Sequence, residues 1–269
     1  MSESKMAVIS LSGGIGSWLA ARRWIERHGT DNTVLLFADT LIEDEDLYRF
    51  LDDIEADLGI PITRIADGRD PWQVFKDVRM IGNTRVDPCS LHLKRKVLHN
   101  WVRDNATGPV DLIVGIDFTE DHRLPAIRHN WEKAGHAVHA PLCWRPEAHK
   151  ADAIAALAAA GIDPPRLYGL GFPHNNCGGW CVKAGQAQFL QLLRAFPDLY
   201  AHHERQEQEA RAHIGRTDIA ILRDRRGGET KPMTMAEFRL RAETEPELID
   251  RGDWGSACSC FAPQLPFGD

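Results

Sequence analysis

Two groups of residues in this 269-residue chain carry chemistry by type and spacing. The first is Ser12-Gly13-Gly14-Ile15-Gly16-Ser17. It lies between an apolar run of strand length, residues 7–11, and a run with helical spacing. A strand, a glycine-rich turn and a helix together present several backbone N–H groups and a helix N-terminus to an anion. Gly13, Gly14 and Gly16 allow close backbone approach, and Ser12 and Ser17 add hydroxyl donors. An ordinary strand-to-helix turn would also account for the glycines. The spacing is neither a Walker A loop nor G-x-G-x-x-G.

The second group is the cysteines: Cys89, Cys143, Cys177, Cys181, Cys258 and Cys260. Cys177 and Cys181 form a C-x3-C pair, and Cys258 and Cys260 a C-x-C pair. In a reducing compartment such pairs bind metal or do redox chemistry more often than they form disulfides. Four thiolates suit a [4Fe-4S] cluster or tetrahedral zinc, and free or redox-active thiols are the third reading. Gly178 and Gly179 let the backbone fold around a compact ligand. Cys143 stands alone and reads as a small buried hydrophobe.

Charged residues fall near both groups. Arg85, Lys94, Arg95, Lys96 and Arg123 occupy segments where cations would neutralise a polyphosphate, although helix surfaces carry such residues anyway. Asp39 could hydrogen-bond a ribose hydroxyl or help hold Mg²⁺, with Asp117 and Glu120 as weaker metal candidates. Glu43, Asp44, Glu45 and Asp46 read as the acidic opening of a helix. Lys183 either offsets a negative cluster or is solvated, and His174 is a turn cap or a ligand. Arg223, Arg225, Arg226 and Lys231 form a basic patch that suits a nucleic-acid backbone or a solvated loop.

The elements that must position these residues follow from periodicity. Residues 7–11, 33–38, 62–65 and 111–116 are short apolar runs of buried-strand type. Residues 18–28 and 44–58 are helical, the latter with Leu47, Phe50, Leu51, Ile54 and Leu58 on one face. Alternating strands and helices imply a doubly wound, mostly parallel α/β sheet with helices on both faces. Ligands in such sheets bind beyond the carboxyl ends of the strands, here after Leu11, Ala38 and Ile116. After about residue 145 the pattern becomes mainly helical, with helices at 150–160, 184–193, 199–214 and 234–243. Pro197 reads as an interruption, 219–222 as a short strand and 223–228 as a basic loop. The expected organisation is a nucleotide-binding domain at 1–145 and a smaller Cys-containing region at 146–269 packed on it.

Ser-Gly-Gly-x-x-Ser after the first strand resembles the PP-loop of ATP pyrophosphatases, the adenine nucleotide α-hydrolases. The ordered set behind it is similar to the phosphoadenosine-phosphosulfate reductase branch. Phe37-Ala38-Asp39-Thr40 matches a strand ending in Asp-Thr, and Cys89-Ser90-x3-Lys94 resembles a Cys-Cys-x-x-x-Lys segment. Gly115-Ile116-Asp117-x3-Asp121-x-Arg123 resembles the segment after the fourth strand. The resemblance covers about residues 6–145. It implies a nucleotide pocket built from Ser10, Ser12, Gly13, Gly14, Ile15, Gly16, Ser17, Ala38, Asp39, Thr40, Gly115 and Asp117. It implies catalytic roles for Lys94, Arg123 and Asp39, with ATP or another adenine nucleotide and Mg²⁺ as cofactors. It also implies a [4Fe-4S] cluster, or zinc, on Cys89, Cys177 and Cys181 with a fourth thiolate from Cys258 or Cys260. Two features depart from the family pattern. Gly16 stands where the loop usually carries Asp, and the terminal Glu-Cys-Gly-x-His segment of the reductases is missing.

Composition narrows the class further. Lys plus Arg is 32 and Asp plus Glu is 39, a net charge of −7, which argues against a surface that grips nucleic acid everywhere. No run of 18 apolar residues predicts a membrane span, and the N-terminus does not read as a signal peptide, so a cytoplasmic protein is expected. Three functions compete. The first is ATP cleavage between the α and β phosphates, adenylating an acceptor such as tRNA or DNA, with sulfur transfer. The second is sulfonucleotide reduction. The third is a non-catalytic nucleotide sensor with structural zinc. A homodimer is compatible with all three.

Overall fold

A computed structural model describes residues 5–255. The described chain begins with β1 (Ala7–Leu11), α1 (Ile15–His28), β2 (Thr33–Asp39), α2 (Glu45–Leu58), β3 (Ile62–Ala66) and α3 (Pro71–Asp77). Then α4 (Pro88–Ser90), a π-helical turn (Leu91–Lys96) and α5 (Val97–Asn105) run on without a break. β4 (Asp111–Val114), a 3₁₀ turn (Phe118–Arg123), α6 (Leu124–Glu132) and β5 (Ala137–His139) complete the sheet. The five strands are parallel, in the order β3-β2-β1-β4-β5.

Alternation along the strands buries both faces. Ala7, Ile9, Leu11, Leu35, Phe37 and Ile113 pack with residues of α1 and α2. Val8, Leu36, Leu112 and Val114 turn the other way, against Leu98 and Val102 of α5 and Leu124, Ile127 and Trp131 of α6. The α/β reading of the sequence therefore holds for the sheet and the helices around it. β5 and α6 had no legible apolar period, because each is short and flanked by polar residues.

The second half continues with α7 (Lys150–Ala160), α8 (Arg166–Gly169), α9 (Gln186–Ala195) and α10 (Pro197–Ile214). It ends with β6 (Leu222–Asp224), β7 (Lys231–Met233) and α11 (Met235–Thr244). Pro197 does interrupt the helices: α9 ends at Ala195 and Pro197 is the first residue of α10, where its missing N–H costs nothing. Of the residues read as a basic loop, Arg223 and Asp224 join Leu222 in β6, with Arg223 across from Pro232 in an antiparallel hairpin, while 225–228 form the turn.

The halves interlock. Ala153 and Leu157 of α7 join the core beneath α1. Trp72, Phe75 and Ile81 from the first half join Trp180, Phe189, Tyr200 and Phe238 in a separate core. Among the described residues no helix is long and apolar enough to cross a membrane.

Candidate functional site: a phosphate cleft and a thiol cavity

β1 lies between β2 and β4, so chain direction across the sheet reverses beside it. This is the switch point where the strand ends open a crevice. The 12–17 loop leaves β1 there and enters α1. That helix has no side-chain cap and no acidic residue in its first turn. By contrast α2, α3 and α11 are capped by Asp44, Asp70 and Thr234. The amide end of α1 is thus left for a ligand anion.

The loop is braced from within. The Ser17 hydroxyl accepts from the Ser12 N–H at 3.1 Å and donates to the Gly14 carbonyl at 2.8 Å. Gly13 has φ +73°, and a Cβ there would lie 2.5 Å from Leu47 Cδ1. Gly115 follows β4 so closely that its Cβ would lie 2.7 Å from Ser17 Cα. Only glycine permits either approach. Gly16 differs: a Cβ would meet nothing nearer than the Gly115 carbonyl at 3.5 Å, so sterics do not impose that glycine.

A cleft of about 700 Å³, its open mouth included, lies over this loop. Ser12, Gly14, Ile15, Gly16, Ser17, Gly115 and Asp117 form one wall. The opposite wall comes from the second half, through His149, Lys150, Tyr168, Pro173, His174, Asn175 and Asn176. Lys150 Nζ donates to the Pro173 carbonyl at 3.1 Å and sits 4.6 Å from the Tyr168 ring centre. Burial holds its ammonium below the usual lysine range. The Asn175 amide donates to the Gly13 carbonyl at 2.9 Å, while its Oδ1 has no partner among the described residues. The backbone amides of Ile15 and Asn175 face the Tyr168 oxygen, and burial pushes that hydroxyl up to about 12. The sequence offered no signal for Lys150 or Tyr168, since they follow no motif and lie over 120 residues from the loop.

The other expected nucleotide residues are distributed as follows. Ser10 lies within β1, opposite Leu36 of β2 and Val114 of β4. Ala38 and Asp39 end β2. The Asp39 carboxylate accepts from the Tyr48 hydroxyl at 2.9 Å and the Leu41 N–H at 2.8 Å. Asp117 accepts from the Thr119 N–H and hydroxyl at 2.8 and 2.6 Å, and so caps the 3₁₀ turn. Arg123 pairs with Glu120 at 2.7 Å, and Glu120 lines the cleft.

A second, smaller cavity of about 350 Å³ gathers Cys89, Cys177 and Cys181 with Thr40, Lys94 and Lys183. Lys94 belongs here and not to the phosphate wall. Its Nζ is 3.5 Å from Glu43, whose side chain is fully buried. Glu43 also accepts from the Thr40 hydroxyl at 2.8 Å and from the Cys177 N–H. Glu43 therefore ties the end of β2 to the cysteine loop. The sequence grouped it with the acidic residues opening α2, a role that Asp44 fills as the cap and Glu45 and Asp46 in the first turn. Lys183 is 7% exposed, which removes the solvated reading. Cys143 stays apart, its Sγ 3.5 Å from the Ile116 carbonyl, and burial pushes the thiol up.

Cys89, Cys177 and Cys181 are soft donors of the kind that hold iron–sulfur or zinc, but as placed they do not form a ligand group. Among the described residues no three His, Cys, Asp or Glu side chains are grouped to hold a metal ion. Cys258 and Cys260, expected to complete the set, lie outside the described residues.

No protein-family model matches the chain. No curated protein matches it either.

Proposed function

We propose that this chain binds ATP at the amide end of α1, adenylates an acceptor oxygen with release of pyrophosphate, and uses sulfur held at the thiol cavity to displace AMP. One observation carries the reading. The segment 173–183 lines the phosphate cleft with His174, Asn175 and Asn176, then immediately lines the thiol cavity with Cys177, Cys181 and Lys183. Glu43 clamps the join through the Cys177 N–H. A nucleotide site and a soft-ligand site that share one wall suit a two-step reaction.

In the first step the acceptor oxygen bonds to the α-phosphorus, and the bond to the bridging oxygen breaks. Pyrophosphate leaves toward the loop amides, with Lys150 on the facing wall to offset its charge. In the second step sulfur bonds to the acceptor carbon and the carbon–oxygen bond breaks, so AMP departs with that oxygen. The exchange is redox-neutral when sulfur arrives as sulfide. A [4Fe-4S] cluster on Cys89, Cys177 and Cys181 would supply that sulfur. Lys94 and Lys183 would offset thiolate charge in the cavity.

The test is anaerobic purification followed by three readings. Absorption near 400 nm with iron and sulfide identifies the cluster, and zinc in a colourless protein argues against sulfur transfer. Pyrophosphate release from ATP supports the first step. Sulfite release from a sulfonucleotide without pyrophosphate would replace the reading with reductase chemistry, and absence of ATP binding would remove it.

A further inference from the structure

The resemblance places the adenosine at the end of β2, on Ala38, Asp39 and Thr40. The folded chain leaves little for it there. The Asp39 carboxylate is taken by the Tyr48 hydroxyl and the Leu41 N–H. Thr40 is 2% exposed, and its hydroxyl donates to Glu43. None of the three lines the phosphate cleft, and Thr40 lines the thiol cavity instead. The cleft runs the other way, from the 12–17 loop past Gly115 and Asp117 to the start of α7.

That side carries an aromatic corner. Phe118 directly follows Asp117, which lines the cleft. Its ring packs edge-on against that of His149, another lining residue, with centroids 6.3 Å apart and planes at 85°. Both supports are ordered. Asp117 caps the turn that carries Phe118, through the Thr119 N–H and hydroxyl. The Asp152 carboxylate accepts from the His149 N–H at 2.7 Å and so fixes the start of α7. Phe118 is nevertheless 51% exposed. A single exposed apolar side chain needs no explanation. Here the exposed ring is held rigidly at the mouth of a cleft, with a second ring at right angles to it. A flat heteroaromatic base can lie on one such ring and turn its edge to the other. Every base has a π-face to offer to that contact. Leu142 and Ala153 add apolar lining to the same cleft.

We propose that Phe118 and His149 form the base site for the nucleotide whose phosphates lie at the amide end of α1. The nucleotide then runs along the α7 side of the cleft and not toward the end of β2. This deepens the reading above and rests on its placing of the phosphates.

The experiment is calorimetric titration of the full chain with ATP and, separately, with inorganic tripolyphosphate, both with Mg²⁺. Tripolyphosphate reads the phosphate site alone. Phe118→Ala should weaken ATP binding about five- to 150-fold, the span for one base stacked on one ring, and leave tripolyphosphate binding unchanged. Phe118→Tyr keeps the ring and should keep the ATP affinity. Leu41→Ala removes a side chain 48% exposed beside the end of β2 and should change neither ligand. Phe118 and Leu41 are both exposed, so truncation opens no core, and a thermal melt of each variant checks this. The proposal is overturned if Phe118→Ala leaves ATP affinity unchanged or weakens both ligands equally. Loss of ATP affinity in Leu41→Ala alone would return the base to the end of β2. A wild type that binds neither ligand would remove the phosphate placement itself, so the two failures are distinguishable.

Discussion

Replacing Gly16 with Asp restores the residue that PP-loops usually carry, and the structure specifies what should happen. A Cβ at this position meets no atom closer than 3.5 Å, and the backbone is not in the left-handed region. Removing a helical glycine contributes about 0.5–1 kcal/mol. A carboxylate in the unoccupied acidic position of the first turn of α1 adds about 0.3–1 kcal/mol. The sum, about 1–2 kcal/mol, raises the melting temperature by about 2–6 °C in a chain of this size. ATP binding should move the other way. A carboxylate some 4 Å from a phosphate costs about 1–4 kcal/mol, depending on how well water screens the pair. Metal-free affinity should therefore fall about fivefold or more, and Mg²⁺ bridging the two anions should restore it. Gly16→Ala is the control: stabilised, with unchanged ATP affinity. Calorimetric titration with ATP in EDTA and in Mg²⁺, beside thermal melts, reads all of this. If Gly16→Asp binds metal-free ATP as tightly as the wild type, the polyphosphate does not sit at the amide end of α1.

Two further predictions follow from buried polar groups. Asn175→Ala leaves the Gly13 carbonyl without its 2.9 Å donor and should cost about 1–2 kcal/mol, with ATP affinity falling several-fold; a melt unchanged within error would mean the tie carries no weight. Glu207 is fully buried on α10 and accepts from the Ile221 N–H at 2.9 Å and the Met235 N–H at 2.6 Å. Burial outweighs those donors and raises its carboxyl from 4.5 to about 7. The folded chain then holds the proton more tightly than the unfolded chain, so this stabilisation is complete below pH 4.5 and lost as pH rises through 7, about 3 kcal/mol in all. Urea denaturation between pH 4.5 and 8 should show that slope in the wild type and a flatter one in Glu207→Gln. Equal slopes would assign the titration to another group.

What the sequence determined by itself was local or periodic. Leu47, Phe50, Leu51, Ile54 and Leu58 lie on one helical face because the period sets the face before any partner is known. Gly13 announced a turn because its conformation is one that side chains disfavour. The anion-binding character of the 12–17 segment followed from strand, glycines and helix in sequence, all within a dozen residues.

Tertiary structure alone decided which distant residues share a wall. Lys150, Tyr168 and Asn175 face the loop because α7 packs on α1 and carries the next segment over the strand ends. Lys94 lines the thiol cavity, where Glu43, one of four consecutive acidic residues, is buried 3.5 Å from it. Of the basic residues at 223–231, Arg225 is paired with the distant Asp253, and Arg226 and Lys231 with Asp224 and Glu229. Charge is a property of residue type, but its effect depends on burial and on which opposite charge folds against it. Neither has a period that a single sequence can display.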